Sequence, residues 1–308
     1  MSLKSKIINK VRQDFLYRMV FKHRGSMAYW RIDDINTMWH YYNVFRSHLD
    51  WSYSGMDKGY SQVINDNVRI NETIFVYWRQ GFDKAPEIVK KCLDSLKRNA
   101  HGHPVVMLTG ENLHEYVSLP AKIEDLHDKG ILREANYSDL VRTNLLIRYG
   151  GYWFDATCFL SSEIPDYIEK ANFFMFNRDL LEGFISPLEC SSWFIKSQRD
   201  NELLLKLQAF LFRYFDCNDS IVHYFIYHIA LSVLVNNDEN CKKIWESKPY
   251  MCTMNPHALL FHFDKRFIQA NYDLMMRFSF VHKLTYKFDK ALLKAKETNY
   301  LQYFLNNN

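Results

Sequence analysis

The chain contains few glycines and prolines, and its cysteines form no recognisable pattern. Its 308 residues include only 10 Gly and 7 Pro, too few for a fibrous, disordered or Gly/Pro-rich all-β protein. Its six cysteines are scattered, with no C-x-x-C pair and no histidine at zinc-finger spacing: Cys92, Cys158, Cys190, Cys217, Cys241 and Cys252. The pattern argues against a disulfide framework or a structural zinc site, and we expect reduced thiols.

Long apolar runs and several common catalytic motifs are also missing. No window reaches the roughly 18 uncharged apolar residues that a membrane-spanning helix requires. The N-terminus lacks the apolar core and cleavage site of a secretory signal, so we expect a cytoplasmic protein. There is no P-loop, G-x-G-x-x-G or G-x-S-x-G sequence. No motif therefore supports a kinase, a dinucleotide-dependent enzyme or a hydrolase.

Positive charge is concentrated at the N-terminus. The formal net charge of +4 is too small to indicate a nucleic-acid partner, and we expect none. Residues 1–24, however, hold seven basic residues and one acidic residue. Apolar side chains recur at helical spacing over residues 5–23, which indicates a basic amphipathic helix. Such a helix could lie on an anionic membrane surface, or dock on the core with its basic side in water.

Hydrophobic residues make up 48% of the chain, and from residue 73 they follow a regular order. Residues 73–78 predict a buried strand, 85–99 a helix and 104–108 a second strand. This order is typical of a βαβ unit and predicts an α/β fold with a parallel sheet. Ligands bind such sheets beyond the carboxyl ends of the strands, so we expect a ligand near Trp78 and Thr109-Gly110.

A further helix leads into a short strand and an acidic residue. Asn136 or Ser138 could cap this helix, and Gly150-Gly151 ends it. The apolar residues 152–154 then run directly into Asp155. The other predicted elements are helices at about 33–48, 111–117, 200–215, 219–236 and 255–275, and strands at about 172–176 and 280–284.

The chain shows no internal repeat, low-complexity tract or Gly/Ser linker. We expect a helical, basic extension at residues 1–70 and a main domain at residues 71–288 that includes a helical C-terminal part. Residues 289–308 would form a helical tail.

Two acidic residues and an arginine are the candidate chemical groups. Asp139 and Arg142 are three residues apart, so they project to the same side of their helix. They could form a surface ion pair of small stabilising value, or present an acceptor and a donor fork to sugar hydroxyls. Asp155 could contact a ribose, a sugar or a metal bound to diphosphate. It could instead bond to the backbone of Thr157 in a turn.

Three aromatic side chains have two interpretations each. His223 and His228 lie in an aromatic segment without a nearby carboxylate at H-E-x-x-H spacing, and we interpret them as packing or cleft-lining residues. Trp193 could border an acceptor cleft or belong to the core.

The segment 137–157 resembles a known enzyme family. It reads Y-S-D-L-V-R and then L-L-I-R-Y-G-G-Y-W-F-D-A-T, and it is similar to family 32 glycosyltransferases, most of all to the branch of capsular polysaccharide synthesis proteins. Residues 74–81 resemble that family's first strand, 85–89 the start of its first helix, and His282-Lys283-Leu284 a short C-terminal motif. The resemblance covers about residues 72–288.

The resemblance implies a GT-A fold, a Rossmann-like domain that binds nucleotide sugars. It also implies retaining transfer of a hexose from a nucleotide diphosphate sugar, usually a UDP-sugar, to a growing cell-surface or capsular glycan. Trp78 would stack on the nucleobase, and Asp139 and Arg142 would hold the hydroxyls of the donor sugar. Asp155 would match the first Asp of the family's Asp-x-Asp motif and complete the catalytic set. The acceptor glycan could be lipid-linked, at the inner face of the cell membrane.

One position departs from the family's motif. Thr157 stands where the second Asp would bind Mn²⁺ or Mg²⁺ directly, and a neutral hydroxyl is a poorer ligand for these ions. The charge of the diphosphate could be balanced by a metal that Asp155 holds together with His282, or by the basic side chain of Lys283. The departure also leaves open a second hypothesis, a catalytically silent nucleotide-sugar or glycan-binding subunit with the same fold.

Overall fold

The computed structural model describes residues 32–54, 62–178 and 186–307. The predicted amphipathic helix at 5–23 and the basic segment 1–24 lie outside these residues. Seven strands occur in the described part of the chain: β1 Ile74–Tyr77, β2 Val105–Leu108, β3 Gly151–Asp155, β4 Cys158–Leu160, β5 Phe173–Asn177, β6 Cys190–Ser197 and β7 Val281–Lys283.

Five of these strands form a central sheet in the order β2-β1-β3-β6-β5. β1 lies between β2 and β3 and is parallel to both. β6 is antiparallel to β3, and β5 is antiparallel to β6, so β6 alone runs against the other four strands of this sheet. The chain therefore leaves β1 toward one side and returns to its other side for β3. At such a reversal, α/β sheets form a crevice that binds ligands. The predicted α/β fold with a parallel βαβ unit is confirmed.

Helices surround the sheet and dominate the C-terminal half. In the described ranges the α-helices are α1 Ile32–Arg46, α2 Glu87–Arg98, α3 Ala121–Asp128, α4 Glu134–Tyr149, α5 Asp166–Glu169, α6 Glu202–Cys217, α7 Ile226–Asn237, α8 Glu239–Ser247, α9 Met254–Phe261, α10 Gln269–Phe278 and α11 Tyr300–Asn307. The predicted helical additions at both ends of the sheet domain are therefore present in the described part of the chain.

The two faces of the sheet build two separate cores. Successive residues of a strand point to opposite faces. Trp153 of β3 accordingly packs with α4, α6 and α7, while Phe154 packs on the α2 side. Strands covered on both faces appear in sequence as continuous apolar runs, as these do. α1 joins the first core through Phe45, whose ring centroid lies 5.2 Å from that of Phe210 in α6.

Some predicted helix boundaries are wrong. α4 begins at Glu134, so Asn136 and Ser138 lie inside the helix and do not cap it. The helix predicted from 219 begins only at Ile226. The helix predicted at 255–275 is two helices, α9 and α10. It is broken because the intervening segment bonds to the chain before α11, where the amide of Phe267 donates to the carbonyl of Thr298 at 2.9 Å.

No helix in residues 32–54, 62–178 or 186–307 combines the length and the apolar character that crossing a bilayer requires. The domain boundaries expected near residues 70 and 288 stay a prediction.

A buried ion pair joins the helices on the first core. Lys206 of α6 donates to both carboxylate oxygens of Asp238 at 2.9 and 2.8 Å, and each side chain is only 5% exposed. Asp238 also caps α8, because it accepts from the amides of Asn240 and Cys241, and the Tyr53 hydroxyl donates to it at 2.6 Å. Burial disfavours the charged carboxylate, but the hydrogen bonds from Lys206, Tyr53 and Cys241 together outweigh burial and lower the pKa of Asp238.

We predict that Asp238→Ala destabilises the protein by about 3–5 kcal/mol, because it leaves the ammonium of Lys206 buried without its main partner. Urea unfolding of both proteins at pH 7 measures the difference. Asp128→Ala, at an exposed position of α3, is the control and should cost less than about 0.5 kcal/mol. Because the pKa of Asp238 is lowered in the folded state, its contribution should also fade as the pH falls into the acid range. Equal losses for the two variants would contradict the prediction.

Candidate active site

The double glycine sets the position of helix α4 relative to strand β3. The amide of Gly150 donates to the carbonyl of Leu146 at 3.0 Å and ends the helix. Both glycines have positive φ, 64° at Gly150 and 86° at Gly151, a conformation that other residues rarely adopt. A side chain at Gly151 would collide with the backbone carbonyl of Thr73 next to β1. Because the two glycines adopt these conformations, the chain passes from α4 to β3 without a loop. The side chains of α4 consequently face the end of β3.

Arg142 of α4 lies between the two predicted carboxylates. Its guanidinium is 3.3 Å from Asp139 and 3.3 Å from Asp155, so the structure brings all three sequence-predicted residues together. The group is buried and lies over the ring of Trp153, 5.0 Å from the centroid. The alternative of an exposed surface ion pair is therefore excluded by the geometry.

The remaining N–H groups of Arg142 also have acceptors. The Ser192 carbonyl and hydroxyl accept from Nη1 at 2.6 and 2.7 Å. The Ser138 carbonyl and hydroxyl accept from Nε and Nη2, both at 3.2 Å. A guanidinium has five N–H donors, and here each nitrogen is engaged. Arg142 thus holds its neighbours in place.

Asp139 is the more deeply buried of the two carboxylates. The Ser192 hydroxyl donates to it at 3.3 Å, and its residue is 7% exposed. Burial raises the pKa of Asp139 to about 6, even though Arg142 acts in the opposite direction. The carboxyl group therefore changes charge close to neutral pH.

Asp155 ends β3 beside the last residue of β1, Tyr77. One of its oxygens accepts from the Trp153 indole at 3.0 Å, and the other accepts from Lys283 at 2.8 Å. Burial opposes ionisation, but Lys283 and then Arg142 outweigh it and lower the pKa of Asp155. Its side chain is 26% exposed, so an ionised carboxylate is accessible at the switch point of the sheet.

Lys283 closes the network from the C-terminal strand β7. Its ammonium donates to Asp155 and, at 2.7 Å, to the hydroxyl of Thr157. Burial acts to lower the pKa of Lys283, but the charge of Asp155, the neighbouring Cys158 and the hydrogen bond to Asp155 together raise it. The lysine is therefore protonated and bridges the first and third positions of the Asp-Ala-Thr segment.

His282 does not join this network. Neighbouring residues of a strand point to opposite faces, and the Lys283 side chain lies on the face of β7 that is directed toward Asp155. The His282 ring instead lies beside Ser161, at 3.3 Å between Nε2 and the hydroxyl, and near the ring of Phe159. Burial lowers the pKa of His282 to about 4. The structure therefore does not bring together the pair of metal ligands expected from the sequence.

The described side chains around Asp155 do not fit a divalent cation. Lys283 already donates to both Asp155 and Thr157, which are the first and third positions of the Asp-x-Asp motif. Residues 32–54, 62–178 and 186–307 contain no group of three or more His, Cys, Asp or Glu side chains positioned to hold a metal.

The aromatic candidates lie at different places around the cleft. Trp78 follows β1 and meets the ring of Tyr286 edge-on, with 5.1 Å between centroids. Trp193 is buried and stacks on Phe176, which supports its core interpretation. Burial lowers the pKa of His228 to about 3. The charges of Arg142 and Asp155 also affect this pKa, so the ring lies near the network.

A polar cluster at the end of β1 was not predicted. Arg79 contacts the ring of His127 and the carboxylate of Glu134, with Arg79–Glu134 at 3.3 Å and His127–Glu134 at 3.1 Å. His127 stacks on Tyr137 with 3.7 Å between centroids. The sequence of helix α3, which carries His127, shows no clear helical periodicity. The sequence therefore does not indicate that these side chains lie close together.

The family comparison identifies the family to which this chain belongs. A family model described as "Capsular polysaccharide synthesis protein" matches residues 6–304, nearly the whole chain. The chain therefore belongs to the capsular polysaccharide synthesis protein family. The recognition of that family from segment 137–157 is confirmed.

A solved structure named "PaToxG Glycosyltransferase" is similar over 70% of this chain and 83% of that chain, with 12% sequence identity and a TM-score of 0.37. A comparison with curated proteins gives no match.

We predict that Gly151→Ala strongly destabilises the protein, because the added methyl group meets the Thr73 carbonyl and the backbone is strained at positive φ. Gly130→Ala is a matched control, since Gly130 also has positive φ (71°) but has open space around its Cβ position. It should show the backbone cost alone, about 1–2 kcal/mol. Thermal unfolding compares the two. A Gly151 variant as stable as the Gly130 variant would refute the close approach of Gly151 to the Thr73 backbone.

We predict a pH-dependent stability difference between the wild type and Asp139→Asn. The pKa of Asp139 is about 6 in the folded protein and about 3.9 in an unfolded chain. The folded state therefore binds this proton more tightly, and the resulting stability is full below about pH 4 and lost as the pH rises through 6. Urea unfolding from pH 4 to 7 should show wild type losing stability relative to the variant. Parallel stability curves would contradict a raised pKa.

Proposed function

We propose that this protein is a retaining glycosyltransferase that moves a hexose from a nucleotide diphosphate sugar, most simply a UDP-sugar, to a hydroxyl of a growing capsular glycan. The observation that carries the proposal is the network of Asp139, Arg142, Asp155 and Lys283 at the switch point of the sheet. Acceptor and donor groups converge there beside the crevice that α/β sheets use for nucleotides. Membership of the capsular polysaccharide synthesis family supports the same reaction.

The side chains divide into those that contact the donor and one that positions them. Asp155 is accessible and ionised, so it can accept hydrogen bonds from hydroxyls of the donor sugar or the ribose. Asp139 supplies a second acceptor deeper in the cleft. Arg142 has its N–H groups engaged, so it orients both carboxylates and stays where it is when the donor binds. Trp78, at the end of β1, would stack on the nucleobase.

The chemical step needs stabilisation of the leaving diphosphate. The bond between the anomeric carbon and the diphosphate oxygen breaks, and its electron pair goes to that oxygen. The acceptor hydroxyl oxygen forms the new bond on the same face, and its proton passes to the departing diphosphate. Lys283 lies beside Asp155 and can donate to the oxygen on which negative charge develops. The scheme uses no nucleophile from the protein.

The basic residues 1–24 suggest where the acceptor is located. Their seven basic residues would favour an anionic membrane surface, which would bring a lipid-linked glycan to the cleft. We therefore propose a cytoplasmic enzyme, peripheral on the inner face of the cell membrane.

We predict that purified protein releases nucleoside diphosphate from one member of a panel of UDP-, GDP- and dTDP-sugars, and faster with an acceptor glycan. Asp155→Asn keeps the size of the side chain but removes its charge, and kcat should fall by about 100-fold or more. Asp128→Asn, on an exposed part of α3, is the control and should leave kcat unchanged. Proton NMR of the first product should show the same anomeric configuration as the donor.

Three other results would change the interpretation. Binding of a nucleotide sugar without turnover, with every acceptor, would favour the silent binding subunit. A product of inverted configuration would contradict the retaining step alone. Failure of every donor to bind would overturn the proposed function.

A further inference from the structure

We propose that this enzyme needs no divalent metal, because the ammonium of Lys283 takes the position that a metal would hold between Asp155 and residue 157. The inference rests on the proposed function, since it concerns how the diphosphate of the donor is bound. It differs from the expectation of a Mn²⁺ or Mg²⁺ cofactor drawn from the family resemblance.

The backbone holds Lys283 in this position before any ligand arrives. β7 pairs antiparallel with β4, which places Lys283 opposite Cys158. The amide of Leu284 donates to the carbonyl of Thr157 at 2.9 Å and extends the ladder by one bond. Two hydrogen bonds then fix the ammonium itself, at 2.8 Å to Asp155 and 2.7 Å to Thr157. A cation built into paired strands requires no recruitment from solvent.

The chemistry of residue 157 matches this arrangement. A carboxylate at this position would add a second negative charge beside Asp155, and a dication would be the natural partner of the pair. The Thr157 hydroxyl is neutral and accepts a hydrogen bond from the lysine. With one carboxylate and one neutral hydroxyl at these two positions, the monovalent ammonium of Lys283 is a sufficient partner.

Lys283 is more accessible to a ligand than Arg142. An ammonium has three N–H donors, and two of them bond to Asp155 and Thr157. The third N–H group takes part in neither of these bonds. The Lys283 side chain is also 19% exposed, compared with 5% for Arg142. A diphosphate oxygen placed above Asp155 would therefore meet the ammonium directly, in a charge-assisted hydrogen bond.

The test measures nucleotide binding, not activity. The full chain is titrated by calorimetry with UDP, GDP, CDP and dTDP, once with EDTA and once with Mn²⁺. We expect the nucleotide that binds best to have the same Kd in both conditions, within about threefold. Electron paramagnetic resonance of Mn²⁺ with this nucleotide should show no protein-bound ion. A Kd that improves about tenfold or more with Mn²⁺, or a bound Mn²⁺ signal, would overturn the inference while leaving the proposed function intact.

Variants at the lysine test the same point independently. Lys283→Met should raise the Kd in EDTA by about tenfold or more, because a charge-assisted bond to the phosphate is lost. Lys283→Arg, which keeps the charge, should restore most of the affinity. Lys290→Met, an exposed lysine of the same C-terminal segment, is the matched control and should bind like wild type. Unchanged affinity in a folded Lys283→Met, verified by circular dichroism, would refute the role of the lysine. No nucleotide binding in either condition would overturn the proposed function together with this inference.

Discussion

The contacts of Arg142 with Asp139 and Asp155 are the interaction on which the rest of the site depends. A buried guanidinium must have its N–H groups satisfied, and here the acceptors come from α4, β3 and β6. Each of these elements is thereby held at a fixed distance from the others. The contact is possible only because Gly150 and Gly151 turn the chain directly from α4 into β3. Backbone geometry and buried charge therefore specify the same arrangement.

The C-terminal strand makes the site complete. Asp155 contacts one cation from α4 and another from β7, and these cations lie more than a hundred residues apart in the chain. β7 reaches the site only because its short ladder with β4 follows immediately after Asp155. The helices α6 to α10 lie between β6 and β7 in sequence, so they must fold correctly for Lys283 to arrive. This dependence agrees with a family model that spans nearly the whole chain.

The sequence predicts the local elements of this fold better than its long-range contacts. β1, α2, β2 and β3 carry unbroken apolar runs or clear helical periodicity, and their order suffices for the α/β class. β6 begins with a cysteine and two serines, so its strand character was missed, although Ser192 supplies two of the acceptors of Arg142. The burial of Asp139 and Arg142 also could not be predicted, since their spacing fits an exposed ion pair equally well. The direction of the Lys283 side chain required the register of β4 and β7.

The same register explains why His282 and Lys283 have different functions although they are adjacent. Neighbouring side chains of a strand lie on opposite faces. On β7, Lys283 lies on the face directed toward the Asp155 carboxylate, and His282 lies on the face directed toward Ser161. A shift of one residue would exchange them and place a neutral imidazole beside Asp155. The carboxylate would then keep only the cation of Arg142, whose N–H groups are already engaged. The register of β4 and β7, two strands of three residues each, thus determines which side chain lies beside Asp155. Because of this register, the cation that contacts the donor is the ammonium of Lys283.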